Sequence, residues 1–235
     1  MADPVFTDTA TFARVSAAAS LTFSHTITNG NYLHCGVSSG LAVGHTISSL
    51  TWNGTAQTNV ISEIRNNQRA TIFGTPAGTT PATGTFDIVV TPSASTNIAC
   101  GACNYNNVNT TTNRGTPISV NNNISPASVA SISSAAGELI VDCLMLAPGT
   151  TATVDAAQTQ RVNNNATNQI CAMSDKPGAV NETMTWTFTP NDSLAIAAVS
   201  LKPSVDGRTT KNIHPWTLGL NAGIGLGLPG GGQGS

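Results

Sequence analysis

Residues 181–203, NETMTWTFTPNDSLAIAAVSLKP, decide the fold class. Met184, Trp186 and Phe188 alternate with Thr183, Thr185, Thr187 and Thr189, the period-2 pattern of a strand with one face in a core and one in water. Thr189-Pro190-Asn191-Asp192 breaks that pattern, because proline cannot donate to a ladder and Asn and Asp bond their own backbone in turns. From Leu194 to Leu201 the chain is almost wholly apolar, the signature of a short strand buried on both faces. The two runs predict a closing β-hairpin.

The same grammar recurs upstream. SLTFSHTIT (20–28), YLHCGVSS (32–39), TISSLTWNG (46–54), ATIFGTP (70–76), GTFDIVVTPS (84–93) and GELIVDCLMLAPG (137–149) all read as strands, and Gly, Pro and Asn clusters separate them. With NIACGACNYNNV (97–108), SVASISS (128–134), QICAMSD (169–175) and the closing pair, the total is about ten. Apolar spacing predicts no helix, and ISEIRNNQR (61–69) is the best candidate for a single helical turn. Asn53-Gly54 is a hairpin signal. No repeat is legible and no linker interrupts the chain before residue 203. The expectation is an all-β, antiparallel two-sheet sandwich over 1–203, in which 1–19 form an N-terminal arm or a first strand. Residues 204–235, ending GIGLGLPGGGQGS, are expected to form an extended C-terminal arm.

Composition narrows the function classes. The 235 residues are 40% hydrophobic, enough for a core, but only 9% charged, far below the roughly 25% of an average soluble domain. Thr, Ser and Asn supply the polarity, which suits a surface that lies against other protein. A net charge of −2 with scattered Lys and Arg argues against nucleic acid as a partner. No apolar run approaches the ~18 residues of a membrane span, and the N-terminus lacks the pattern of a secretory signal, so cytoplasmic synthesis is expected. Cys35, Cys100, Cys103, Cys143 and Cys171 are odd in number and irregular in spacing, which argues for free thiols.

SLTWNGTAQT (49–58), GELIVDCLML (137–146) and MTWTFTPNDSLAIAAVSLKP (184–203), in that order, resemble a family of jelly-roll sandwiches. Such domains occur in virion proteins of tailed bacteriophages, as head-decoration, fibre or tail-associated modules, and in some bacterial exported proteins. The resemblance covers about residues 20–203. It implies a non-enzymatic structural protein, foremost a head-decoration or cement protein, assembled in the host cytoplasm into a virion. Its partners would be capsid proteins and other copies of itself.

Motifs for chemistry are weak beside this reading. Cys100-Gly-Ala-Cys103 has redox or half-zinc spacing, but it lies in a strand-rich stretch with no second ligand pair, so buried thiols are the plainer reading. Gly225, Gly227 and Gly230 fit GxGxxG, yet Pro229 prevents the helix that a nucleotide site requires. Asp87 and Asp142 fall inside strands, and Asp142 stands out as a charge needing a partner. His25, His34, His45 and His214 have no recognisable Ser or Asp partner, so neither catalysis, metal nor cofactor is expected.

Two binding surfaces are expected instead. Ile213, Trp216, Leu218, Leu220, Ile224, Leu226 and Leu228 put apolar side chains on the Gly-rich arm, a pattern that suits docking on a neighbour. Trp186 reads as core, whereas Trp52, Tyr32 and Tyr105 are candidates for stacking on a sugar. A carbohydrate- or receptor-binding module that takes a glycan is therefore the rival reading. A third is a filament or fibre subunit assembled by strand addition.

Overall fold

The structure, a computed structural model, describes residues 1–40, 42–147, 151–164 and 169–205. The seven expected docking residues between 213 and 228 lie outside the described residues, as does His214.

Every described element is a strand. The first half of the chain gives β1 (Val5–Ala18), β2 (Leu21–Ile27), β3 (Tyr32–Gly40), β4 (Ile47–Trp52) and β5 (Thr55–Ala56). It continues with β6 (Thr58–Arg65), β7 (Gln68–Gly74), β8 (Gly84–Pro92) and β9 (Thr96–Asn106). The second half gives β10 (Ile118–Asn122), β11 (Ala127–Ile132), β12 (Leu139–Leu146) and β13 (Thr151–Val154). It ends with β14 (Thr159–Asn164), β15 (Ile170–Pro177), β16 (Glu182–Thr189) and β17 (Leu194–Leu201). The all-β, antiparallel character and the two closing strands are as the sequence predicts, but the strands are not a hairpin. β16 pairs with β11 and β13, and β17 with β10 and β12, so the turn at Thr189-Pro190 carries the chain from one sheet to the facing one. The helical turn expected at 61–69 is instead the β6–β7 hairpin, turned by Asn66 in the left-handed region. Asn53 and Gly54 both have positive φ and turn β4 into β5 as their signal predicts.

Where one pair of sheets is expected, the described residues form two pairs. The first half folds into sheets of order β1-β9-β3-β7-β6 and β2-β8-β4-β5, the second into β10-β17-β12-β15-β14 and β11-β16-β13. Placing β1 on β10, β2 on β11, β3 on β12 and so on to β9 on β17 makes the two orders coincide, with β5 alone lacking a counterpart. The register agrees in detail. The β6–β7 ladder shifts between Asn59 and Ile61, and the β14–β15 ladder shifts between Gln160 and Val162, the same step from each strand's start. Ala56-Gln57-Thr58 and Ala157-Gln158-Thr159 enter these strands with the same three residues, and each glutamine is buried. The chain is therefore an internal duplication, which the sequence reading missed because sandwich cores demand only apolar alternation and so keep little identity.

Three apolar layers hold four sheets. Trp52, Leu50, Ile88 and Val90 pack on Leu33, Val37, Ile98 and Cys100 inside the first sandwich. Trp186, Met184 and Phe188 pack on Ile140, Leu144 and Ile196 inside the second. The central layer joins the sandwiches through their five-stranded sheets, with Tyr105, Ile72 and Ala99 against Val141, Cys143, Met173 and Ala197. β3 lies over β12, β1 over β14 and β6 over β10, so the halves meet as an isologous pair. At the centre, Gly36 and Gly101 are opposite each other on β3 and β9. A Cβ on Gly36 would stand 2.9 Å from both Cys143 Sγ and Met173 Sδ, so the two glycines open the hole that Met173 fills.

The strand period also settles the CxxC spacing. Cys100 faces the first sandwich's core and Cys103 the central layer, so the two sulfurs lie on opposite sides of β9. All five thiols are buried and unpaired, and burial raises those of Cys100 and Cys103 well above their ordinary range.

Candidate functional site

Among the described residues β1 is the longest strand, it departs from regular pairing near its middle, and polar chemistry gathers there. Its ladder with β9 shifts between Thr7 and Thr11, and Asp8 has a φ of 60°, a conformation unusual for a side-chain-bearing residue. This bulge turns Asp8 and Thr11 toward His25 on β2 and Asn104 on β9. Asn104 Nδ2 donates to Asp8 Oδ2 and to the Thr26 carbonyl, each at 3.0 Å. Both partners only accept, which fixes the amide orientation, so Asn104 Oδ1 takes the proton of His25 Nε2 at 2.9 Å. His25 Nδ1 is then a bare lone pair, and the Thr11 hydroxyl donates to it at 2.7 Å.

A hydroxyl on a neutral imidazole that an amide orients is the layout of a nucleophile and its base. Burial lowers the pKa of His25, against the opposing influence of Asn104 and Asp8. Burial works against the Asp8 carboxylate too, but hydrogen bonds from Thr28, Asn104 and Asn29 outweigh it and lower its pKa. Each polar atom of the chain Thr11–His25–Asn104–Asp8 is satisfied by the next. The cluster clamps the β1 bulge to β2 and β9, beside an open cleft of about 350 Å³ lined by Ser24, Thr26, Thr28 and Thr85. His25 alone is visible in the sequence; its partners come from strands 14 and 79 residues away.

A second polar network crosses the central layer. Arg161 on β14 holds Asp175 through Nε at 2.6 Å and Nη2 at 2.9 Å, and Tyr105 Oη donates to the same carboxylate at 3.0 Å. The guanidinium lies 4.1 Å above the Phe6 ring of β1. Asp142, wholly buried, accepts from Trp186 Nε1 at 2.7 Å, Ser174 N at 2.6 Å and Ser174 Oγ at 2.9 Å. The strand-interior charge thus finds its partners across the second sandwich. His34 is also buried; its Nε2 donates to the Asp142 carbonyl at 3.3 Å, and its Nδ1 has no partner among the described residues.

These two buried groups pull stability in opposite directions with pH. Burial raises Asp142 from 3.8 to about 7 despite its three hydrogen bonds, and lowers His34 from 6.5 to about 4. The fold keeps the Asp142 proton that the unfolded chain loses, so this stabilisation fades as pH rises from 3.8 through 7. The unfolded chain takes up the His34 proton that the fold refuses, so that stabilisation is lost as pH falls from 6.5 through 4. Each slope is about 1.4 kcal/mol per pH unit, and the two oppose between 4 and 6.5. Relative to the parent protein, urea melts of His34→Gln should make the slope of stability against pH more negative across that window, and those of Asp142→Asn should make it more positive. A change of the same sign in both variants would contradict the assignment.

The expected sugar platforms need correction. Trp52, Tyr32 and Tyr105 are each 1% exposed, and none offers a ring face to a ligand. Trp52 is a core side chain in edge contact with Phe86 and His25, its Nε1 donating to the Ala82 carbonyl. Trp186 is core, as expected. Among the described residues no cluster of three or more His, Cys, Asp or Glu has the arrangement of a metal site. Comparison with known proteins finds no matching family model, no matching curated protein and no matching solved structure.

Proposed function

We propose that the chain is a non-enzymatic structural protein of a phage particle, a head-decoration or cement protein whose arm, residues 204–235, docks on neighbouring subunits. The observation that carries this reading is the fused two-sandwich body. Its paired five-stranded sheets are buried against each other, which favours a rigid block, and a chain only 9% charged clothes it largely in hydroxyls and amides. Such a surface loses little hydration free energy on lying against protein. The strand orders 1-9-3-7 and 2-8-4-5 agree with the interleaving expected of a jelly roll and support the phage resemblance.

The test compares the full chain with a version ending at Val205. Both should melt cooperatively at similar temperatures, because the packed layers lie within 1–205. Only the full chain should co-sediment with particles assembled from the genes that flank its own. Equal co-sedimentation by the truncated chain, or none by either, overturns the docking role of the arm.

A further inference from the structure

The duplication gives each feature of one half a counterpart in the other, and it exposes one place where the counterparts differ. The seam between the sandwiches has two sides. On one, β6 faces β10 and is latched: Ser119 Oγ donates to Glu63 Oε2 at 2.6 Å and Asn121 Nδ2 to Glu63 Oε1 at 2.5 Å. Asn66 Nδ2 adds a bond to Ser193 Oγ at 2.9 Å. On the other side β1 faces β14, where the Arg161 guanidinium stands over the Phe6 ring and no carboxylate takes the place of Glu63.

The register identifies what replaced the latch. Laying Thr58 on Thr159 and Ile61 on Val162 carries Glu63 onto Asn164. Following the ladders from there, Gly74 falls on Asp175, His34 on Val141 and Cys103 on Val199. The last step brings Phe12, opposite Gly101, onto Ser119, opposite Ala197. Phe12 and Asn164 therefore stand where Ser119 and Glu63 close the other side, and they line an open groove of about 330 Å³ with Thr11, Arg161, Val162 and Asn163.

We propose that this groove binds a saccharide, one or two sugar rings lying against Phe12 with their hydroxyls on Asn164 and Arg161. Sugar hydroxyls both donate and accept, and the wall offers both roles. Asn164, on the groove wall, carries both an amide donor and an amide acceptor. Arg161 uses Nε and Nη2 on Asp175, and those bonds leave Nη1 over. An aromatic face with a few convergent polar groups is the usual composition of such a site. An anionic ligand fits less well, because Asp175 already pairs the groove's one lining cation. An added peptide strand fits less well too, since both bordering strands carry a bulge there, which bends an edge away from further pairing. This site differs from the buried rings that the sequence suggested, and it does not depend on the structural reading of the chain.

The experiment titrates isotope-labelled full-length protein with methyl glycosides of glucose, galactose, mannose and N-acetylglucosamine, after a glycan array has ranked longer saccharides. Saturable amide shifts centred on Ala10–Phe12 and Arg161–Asn164 are expected for at least one glycoside. Phe12→Ala and the edge substitution Asn164→Ala should each weaken it about tenfold, while Glu63→Gln on the latched side should leave affinity unchanged. Thermal melts confirm that the variants fold, and Asn164→Ala keeps the test open if Phe12→Ala does not. No saturable shift with any glycoside or array saccharide overturns the proposal, as do shifts elsewhere or wild-type affinity in both variants. A synthetic peptide of residues 218–228 that shifts these amides when no glycoside does would assign the groove to strand addition instead. Particle co-sedimentation is a separate readout, so either idea can fail alone.

Discussion

Trp186→Ala is expected to destabilise the protein by about 3–5 kcal/mol, the usual range for emptying a large aromatic core position. Trp186 is 0% exposed and packs in the middle layer of the second sandwich, so the cavity has no solvent route by which to collapse. Its indole also donates to Asp142 Oδ2 at 2.7 Å, and removal leaves a wholly buried carboxyl with only Ser174 as partner. Trp186→Phe separates the two effects. It keeps most of the apolar volume, and the lost donor should cost roughly 1–3 kcal/mol. Thr187→Ser, on the exposed side of the same strand, should change stability by less than about 0.5 kcal/mol. Chemical melts of the three variants check the ranking, and equal losses for Trp186→Ala and Thr187→Ser would overturn the strand's facing.

The second large effect is expected at the centre of the duplication. A side chain on Gly101 would collide with Met173 Sδ and approach Val162 Cγ2 to 3.0 Å. Its neighbour Gly36 meets the same methionine from the opposite strand. Gly101→Val must therefore force the two central sheets apart, and overpacking of this kind costs about 1–3 kcal/mol or more. Met173→Ala alone should cost about 2–5 kcal/mol by leaving the hole empty. The double variant Gly101→Ala/Met173→Ala should lose less than the sum of the singles, because the added methyl occupies space that the shortened side chain vacates. Additive losses would show that Met173 does not seat in the glycine hole.

Strand grammar needs only local information, and it was legible. Alternation at Met184, Trp186 and Phe188, the turn at Thr189-Pro190, and the apolar run from Leu194 set β16 and β17, because a one-residue slip would expose the whole core face. Asn53-Gly54 set its hairpin for the same reason, positive φ at both central positions being a property of the residues themselves. Even Asp142 announced that it needed a partner, since a strand-interior carboxylate is costly alone.

Which strands share a sheet, and which faces meet, is decided by contacts far apart in the chain. The 14 residues of β1 carry too little apolar alternation to be read as more than an arm or first strand, yet pairing with β9 makes β1 the edge strand that builds both clefts. Tyr32, Tyr105 and Trp52 are candidate platforms in the sequence by residue type alone, and only the packing of sheet on sheet buries them. The duplication left just a few matched words, such as Ala-Gln-Thr at 56–58 and 157–159, because either sandwich accepts any apolar side chain of suitable volume. The unlatched side of the seam is invisible in the sequence for a further reason. Phe12 and Asn164 are 152 positions apart, and they become a site only where two five-stranded sheets stack with β1 over β14.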